Sequence, residues 1–224
     1  MKEKKDYLKI VYNEKDRPFT EYPNKLAKYI FDNFNLKVKQ NILDVGCGRG
    51  EFINGFMQCG MIPYGIDQTN TAKKKYKKIN FKFCDLDNKK IPYQDEFFDV
   101  VFSKSVVEHF HYPEKLFQEM NRVLKKKGKI ITLTPDWEIN YKTFYEDYTH
   151  RTPFSETSLR DIHLINGFKE VKIFKFKQLP ILWNKNLILN ILSELTRILV
   201  PSFFKKFKWV KFSKEIILLS IAIK

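Results

Sequence analysis

Between residues 41 and 135, short apolar runs rich in β-branched residues alternate with segments of helical period, and this alternation constrains the fold more than any other feature. "NILDVG", "MIPYGID", "INFKFCD", "FFDVVFS" and "KIITLTP" read as five strands. "YPNKLAKYIFDNF", "GEFINGFMQCG" closed by Gly60, "NTAKKKYKK" and "PEKLFQEMNRVLKKKG" ended by Gly128 read as helices. Strict strand and helix alternation predicts a parallel sheet covered on both faces, joined by right-handed crossovers. Near the end the rhythm changes. "SETSLRDIHLINGF" reads as a capped helix, "KEVKIFKFK" as a strand and "KEIILLSIAIK" as a last strand. More than thirty residues separate those two strands, far beyond the roughly two to five of a hairpin loop, so residues 180–213 are expected to form a subdomain or a functional insertion.

At 224 residues and 43% hydrophobic content the chain can bury a full core, so one domain is expected. Its formal charge of +15 favours phosphates, nucleic acid or anionic headgroups, although Lys, Asn, Ile and Phe are abundant together in a way that also fits a general compositional bias. Cys47, Cys59 and Cys84 have no C-x-x-C spacing, which argues against a disulfide framework or a zinc site and for a reducing compartment. The start "MKEKKDYLKI" lacks the apolar core of a secretory signal. "NLILNILSELTRILV" is interrupted by Asn190, Glu194 and Arg197 and falls short of the roughly 20 apolar residues of a membrane span, so a cytoplasmic protein is expected.

The stretch "ILDVGCGRGEF" sets glycines 46, 48 and 50 between a buried strand and a helix, where backbone N–H groups and the positive helix end meet a ligand. Its G-x-G-x-G spacing differs from the G-x-G-x-x-G of dinucleotide sites. Asp67 closes the second strand about twenty residues later, where a carboxylate can accept two ribose hydroxyls; a turn or helix-cap role is the alternative.

"ILDVGCGRGEF", followed in order by "YGIDQT", "FCDLD", "FFDVVFSKSVVEHF" and "NRVLKKKGKIITLTPD", resembles class I S-adenosylmethionine-dependent methyltransferases over roughly residues 38–178. The resemblance implies a Rossmann-like α/β fold: a seven-stranded, mostly parallel sheet in the order 3-2-1-4-5-7-6 between helices. Around it come an N-terminal helical cap (1–37), the insertion (180–213) and the last strand (215–224). It also implies S-adenosyl-L-methionine as cofactor. Gly46 and Gly48 fall at its methionine end, Asp67 at the ribose, and Asp85 with the Leu86 backbone at the adenine edge. Asp44 is expected to brace the loop and reach the cofactor amino group through water. Gln68, Ser103 and a small, packed Cys47 complete the expected cofactor set. Asp85 has a simpler alternative, opening the turn "DLDN". Asp99 is expected to support the sheet rather than touch ligand.

Methyl transfer from a sulfonium is an in-line displacement that depends mainly on positioning, and a hydroxyl acceptor also needs a base. Of the four histidines, His163 lies in a helix and reads as a packing or surface residue, and His111 looks solvent-facing. His109 in "SVVEHF" resembles the Glu-His pair that follows the fourth strand in many small-molecule methyltransferases. His150 is the preferred base, in "YEDYTHRTPFSETSL", with Tyr145, Tyr148 and Arg151 expected around it; an orienting or cap-stabilising role is the alternative. That pattern resembles methyltransferases of glycans and other small hydroxylated acceptors. Some quinone-type relatives bind a divalent metal beside the Glu-His pair, but Ser105 replaces the first acid here, so no metal is assigned.

Residues 187–212 combine apolar positions at helical spacing with "PSFFKKFKWVKF", a pattern suited to an anionic membrane surface, a lid or a partner. The leading expectation is O-methylation of a sugar, glycan precursor or other small hydroxylated acceptor. The alternatives are a quinone or lipid-like acceptor at a membrane, then a non-catalytic cofactor-binding partner. Nucleic acid is disfavoured: "SKSV" stands where several amino-group methylases of bases carry (D/N)PPY.

Overall fold

A computed structural model describes residues 14–15, 18–183 and 186–224. Residues 1–13, 16 and 17 of the expected cap (1–37) therefore lie outside the described residues, as does the stretch read for a secretory signal. Among the described residues seven strands form one sheet: β1 (Asn41–Val45), β2 (Ile62–Asp67), β3 (Asn80–Phe83), β4 (Phe98–Lys104), β5 (Leu124–Pro135), β6 (Lys169–Lys177) and β7 (Ile216–Ile223). Their order is β3-β2-β1-β4-β5-β7-β6, as the family resemblance implied. The chain divides into two compact units, Met1–Ser103 with Arg122–Gly128, and Lys104–Asn121 with Lys129–Lys224.

In the first unit β1 pairs in parallel with β2 and β4, and β2 with β3. Ile42, Leu43 and Val45 of β1 are fully buried, as are Phe98, Val100, Val101 and Phe102 of β4. Strands covered on both faces lose the polar alternation, which is why these segments read as continuous apolar runs. Helix α1 (Tyr22–Asn33) starts with a proline in its first turn and buries Leu26, Ala27 and Ile30. It packs on α2 (Glu51–Gln58) so closely that a Cβ at Gly55 would stand 2.7 Å from the Ala27 Cβ. Asp99 accepts from the Asn41 N–H and from Lys125, so it supports the sheet as expected. Helix α3 covers only Thr71–Lys75 and is shorter than the basic stretch suggested.

Helix α4 (Pro113–Val123) stops before Gly128, contrary to the sequence expectation. The N–H groups of Glu96 and Phe97 take the carbonyls of Arg122 and Val123, and the chain enters β5 directly. Gly128 thus lies inside β5, after Lys127 at φ 63°.

In the second unit β7 runs antiparallel to both β5 and β6, with Thr132 opposite Ser220 and Phe174 opposite Leu219. Lysines 169, 172, 175 and 177 on β6 suit an edge strand, because charge discourages further pairing. Two short helices, α5 (Trp137–Asn140) and α6 (Glu156–Ile165), follow β5. A capping box in which Ser155 and Ser158 bond each other's backbone N–H groups starts α6. His163 on α6 is fully buried: it donates from Nδ1 to the Leu159 carbonyl (2.6 Å) and rests against Phe117 and Phe168. Burial lowers its pKa to about 4, which makes it a neutral packing residue. The expected insertion is helical, with α7 (Leu187–Leu199), a 3₁₀ turn (Ser202–Lys206) and α8 (Lys208–Lys214).

Candidate active site

The glycine loop is tied to the neighbouring strand by its own backbone. The N–H groups of Gly46 and Cys47 both donate to the Ile66 carbonyl, at 2.9 and 3.0 Å. Cys47 is buried where a Cβ on Gly65 would stand 2.9 Å from its sulfur, so its role is packing and only a residue without a side chain fits opposite. Gly50 has φ 80° and would meet the Ala72 Cβ at 2.9 Å, which leaves glycine as the unstrained choice there.

Asp67 joins loop and strand end. Its Oδ2 accepts from the Gly48 N–H (2.9 Å), and its Oδ1 accepts from the N–H and hydroxyl of Thr69 (2.8 and 2.9 Å). The carboxylate is held in one orientation before any ligand arrives. Gln68 beside it is exposed. Asp85 closes the turn that sequence left as an alternative: it accepts from the Asp87 N–H and the Asn88 amide, and Leu86 is half-buried.

Asp44 is 2% exposed. The Ile53 N–H at the start of α2 bonds its carboxylate, so it braces the loop, but Oδ2 has no hydrogen-bond partner among the described residues. Burial, then the negative charge of Asp67, holds its pKa well above the usual carboxylate range. A buried, unpartnered carboxylate oxygen suits a cationic amino group. Ser103 at the end of β4 is likewise fully buried, its hydroxyl without a hydrogen-bond partner among the described residues. These groups fit an amino-acid cofactor with a ribose. An open cleft of about 850 Å³ elsewhere in this unit, lined by Tyr64, Tyr93, Phe97 and Arg122 among others, contains none of them.

The second unit holds the histidines. A 3₁₀ turn (Val107–His109) carries Glu108 and His109, and the Arg151 and Thr152 N–H groups donate to the Glu108 carbonyl. That clamp brings His150 to His109, with ring centroids 4.9 Å apart. His150 Nδ1 donates to the Phe144 carbonyl at 2.6 Å, so its Nε2 carries the lone pair. The Thr149 hydroxyl donates to Asp147 (2.6 Å) and accepts from His109 Nδ1 (2.9 Å), which fixes the second ring in the same tautomer. Burial, and then the neighbouring His150, lowers the His109 pKa and favours its neutral form.

The rings packed on His150 are His109 and Phe144 rather than the expected tyrosines. Tyr145 packs on Trp137 and Phe144, Tyr148 is exposed, and the Arg151 guanidinium bonds backbone carbonyls. His111 is exposed, as expected.

Sequence reasoning missed the Asp147 and Thr149 relay, although D-x-T is the spacing of an Asx turn. It also missed how deeply Glu108 is buried. Glu108 is fully enclosed, accepts from the Thr134 hydroxyl at 3.0 Å and leaves Oε1 without a partner among the described residues. Desolvation raises its pKa to about 7. Glu108, His109 and His150 each bring a ligand-capable atom within 4.8 Å of the others, a donor set that could hold a metal ion.

Residues 43–132 match the methyltransferase domain family. The chain is 31% identical over 168 residues to an uncharacterized protein of Methanocaldococcus jannaschii, covering 74% of this chain and 69% of that one. It is 27% identical over 115 residues to the ubiquinone biosynthesis O-methyltransferase of Coxiella burnetii, covering 48% of each. Its fold matches an S-adenosylmethionine-dependent methyltransferase from Archaeoglobus fulgidus with TM-score 0.68 at 24% identity, over 98% of this chain and 100% of that one. The chain belongs to the class I S-adenosylmethionine-dependent methyltransferases. Methyltransferases of this class take S-adenosylmethionine as cofactor. The chain spans 69%, 61% and 64% of the length of the first curated relatives it matches. No helix among the described residues is long and apolar enough to cross a membrane.

Proposed function

We propose that this methyltransferase O-methylates a small hydroxylated acceptor, a sugar or glycan precursor, with His150 as the base. The observation that carries the reading is the bond from His150 Nδ1–H to the Phe144 carbonyl, which leaves the Nε2 lone pair open to a proton. S-adenosylmethionine, when bound, supplies an electrophilic methyl group. Asp67 offers its carboxylate to the ribose hydroxyls, Asp44 receives the cationic amino group at Oδ2, and the Gly46 to Gly48 loop leaves room for the methionine end. Asp85 and Leu86 border the adenine, with Gln68 and Ser103 completing the set. His150 takes the proton the acceptor hydroxyl loses as its oxygen gains the methyl group. His109, neutral and held by Thr149, packs against that base and orients it. Exposed Tyr141 and Tyr145 beside Trp137 offer flat faces and hydroxyls suited to a sugar ring.

A quinone or lipid-like acceptor is a second reading. It is favoured by the apolar side chains that α7 turns outward and by the likeness to an enzyme named for ubiquinone biosynthesis.

His150→Ala is expected to lower turnover by roughly 10²-fold or more while leaving cofactor affinity in calorimetry unchanged. Unaltered turnover would remove His150 from the reaction. A methylation screen across sugar nucleotides, glycan precursors and phenolic quinone intermediates separates the two acceptor classes.

A further inference from the structure

Helix α7 is inverted relative to the usual surface helix. Leu187, Ile188, Ile191, Leu195, Ile198 and Leu199 are between 48% and 77% exposed. At about 100° per residue they share one arc of roughly 120°. The opposite, polar face is the buried one. Ser193 is fully buried and bonded to both Ser213 and Lys177, and Thr196 accepts from the Trp209 indole. Asn190 donates to the Leu182 carbonyl, and Arg197 is held by Glu194, which pairs with Lys177. A helix placed only by hydrophobic burial would turn the other way. Here a row of hydrogen bonds fixes the polar face inward, so the apolar face is displayed.

The following turn extends that surface. Phe203 and Phe207 are 76% and 54% exposed, and Lys206 stands 5.4 Å from the centre of the Phe207 ring. Lys206, Lys208 and Lys211 are all exposed on this turn and α8. Monomers rarely expose apolar patches beyond a few hundred Å² unless something covers them.

We propose that the α7 face and the basic turn after it dock the protein on an anionic lipid bilayer. The helix is 13 residues long, roughly 20 Å, and cannot span the roughly 30 Å hydrocarbon core, so it lies in the plane of the interface. Leucine, isoleucine and phenylalanine enter the acyl boundary while the lysines meet phosphate headgroups. Charge selects this occupant over a second copy of the chain: pairing two such faces would bring two sets of exposed lysines together on a molecule of net charge +15. The proposal does not depend on which acceptor is methylated.

The test is cosedimentation of the full chain with phosphatidylcholine vesicles, with and without phosphatidylglycerol. Binding is expected with the anionic vesicles and weak binding with the neutral ones. Ile191→Asp with Ile198→Asp, both at exposed positions, is expected to lower the anionic partition at least about tenfold. Lys206→Glu is expected to lower it by a similar factor, and high salt to weaken it. S-adenosylmethionine affinity should match wild type in each variant, which keeps a failure here separate from a failure of the methyltransferase site. Absence of binding to anionic vesicles, equal binding to both vesicle types, or undiminished binding by the double aspartate variant overturns the proposal. So does a dimer in sedimentation equilibrium that the double variant dissolves.

Discussion

Glu108 offers a quantitative test of the geometry beside His109 and His150. Its carboxyl is fully buried, with one oxygen bonded to Thr134 and the other unpartnered, and its pKa is raised from 4.5 to about 7 by desolvation. Between those two values the folded protein holds a proton that the unfolded chain has released. The contribution of Glu108 to stability is therefore greatest below about pH 4.5, declines as pH rises and levels off above about pH 7. A shift of roughly 2.5 units corresponds to about 3 kcal/mol in all, and about 2 kcal/mol of it falls between about pH 5.5 and pH 8.

Glu108→Gln removes the titration and keeps a carbonyl oxygen for the Thr134 hydroxyl. Its stability relative to wild type should therefore rise by about 2 kcal/mol from about pH 5.5 to pH 8. Urea denaturation followed by circular dichroism at the two pH values measures it. A constant fixed by the unpartnered amide of glutamine cancels, because only the change with pH is compared. A difference independent of pH would mean that Glu108 is not held neutral. A cation that held it ionised would give that same pH-independent result, because the carboxylate would then carry no proton in either state across this window.

Asp67→Ala removes the carboxylate that fixes the Gly48 and Thr69 N–H groups and is proposed to hold the ribose; calorimetry should show S-adenosylmethionine affinity at least about tenfold weaker, and equal affinity would sink the assignment. Thr149→Val breaks the relay from Asp147 to His109, so turnover should drop about tenfold at unchanged cofactor affinity and recover in Thr149→Ser; a variant as active as wild type would leave His109 without an orienting role. Because the His150 Nε2 lone pair is proposed to take a proton, dialysis against a chelator should leave turnover within about twofold; activity lost and then restored by zinc would reassign Glu108, His109 and His150 as ligands.

How much of this was legible in the sequence depended on the range of the interactions involved. Doubly buried strands announce themselves because every residue of "NILDV" but the first is buried, and the turn glycines mark positive φ within a few residues. The end of α4 was misjudged because the partners of its last carbonyls, Glu96 and Phe97, lie more than twenty residues upstream, and no local propensity reports them. His109 was a candidate through its neighbour Glu108. Its relay needed Thr149, forty residues away in the chain, so it became visible only in three dimensions.

Helix α7 shows a sharper limit. The periodicity of its leucines and isoleucines predicts an amphipathic helix and gives its span, but a period is silent about which face turns inward. That direction is decided by whether polar partners exist to satisfy the other face. Ser213, Trp209 and Lys177 provide them here, each on a neighbouring element, so the hydrogen bonds of Ser193 and Thr196 are made internally rather than with water. Removing one partner while leaving the buried polar group costs more than the bond itself contributes. The inverted helix therefore stands as a unit: its outward leucines are a consequence of an inward polar row.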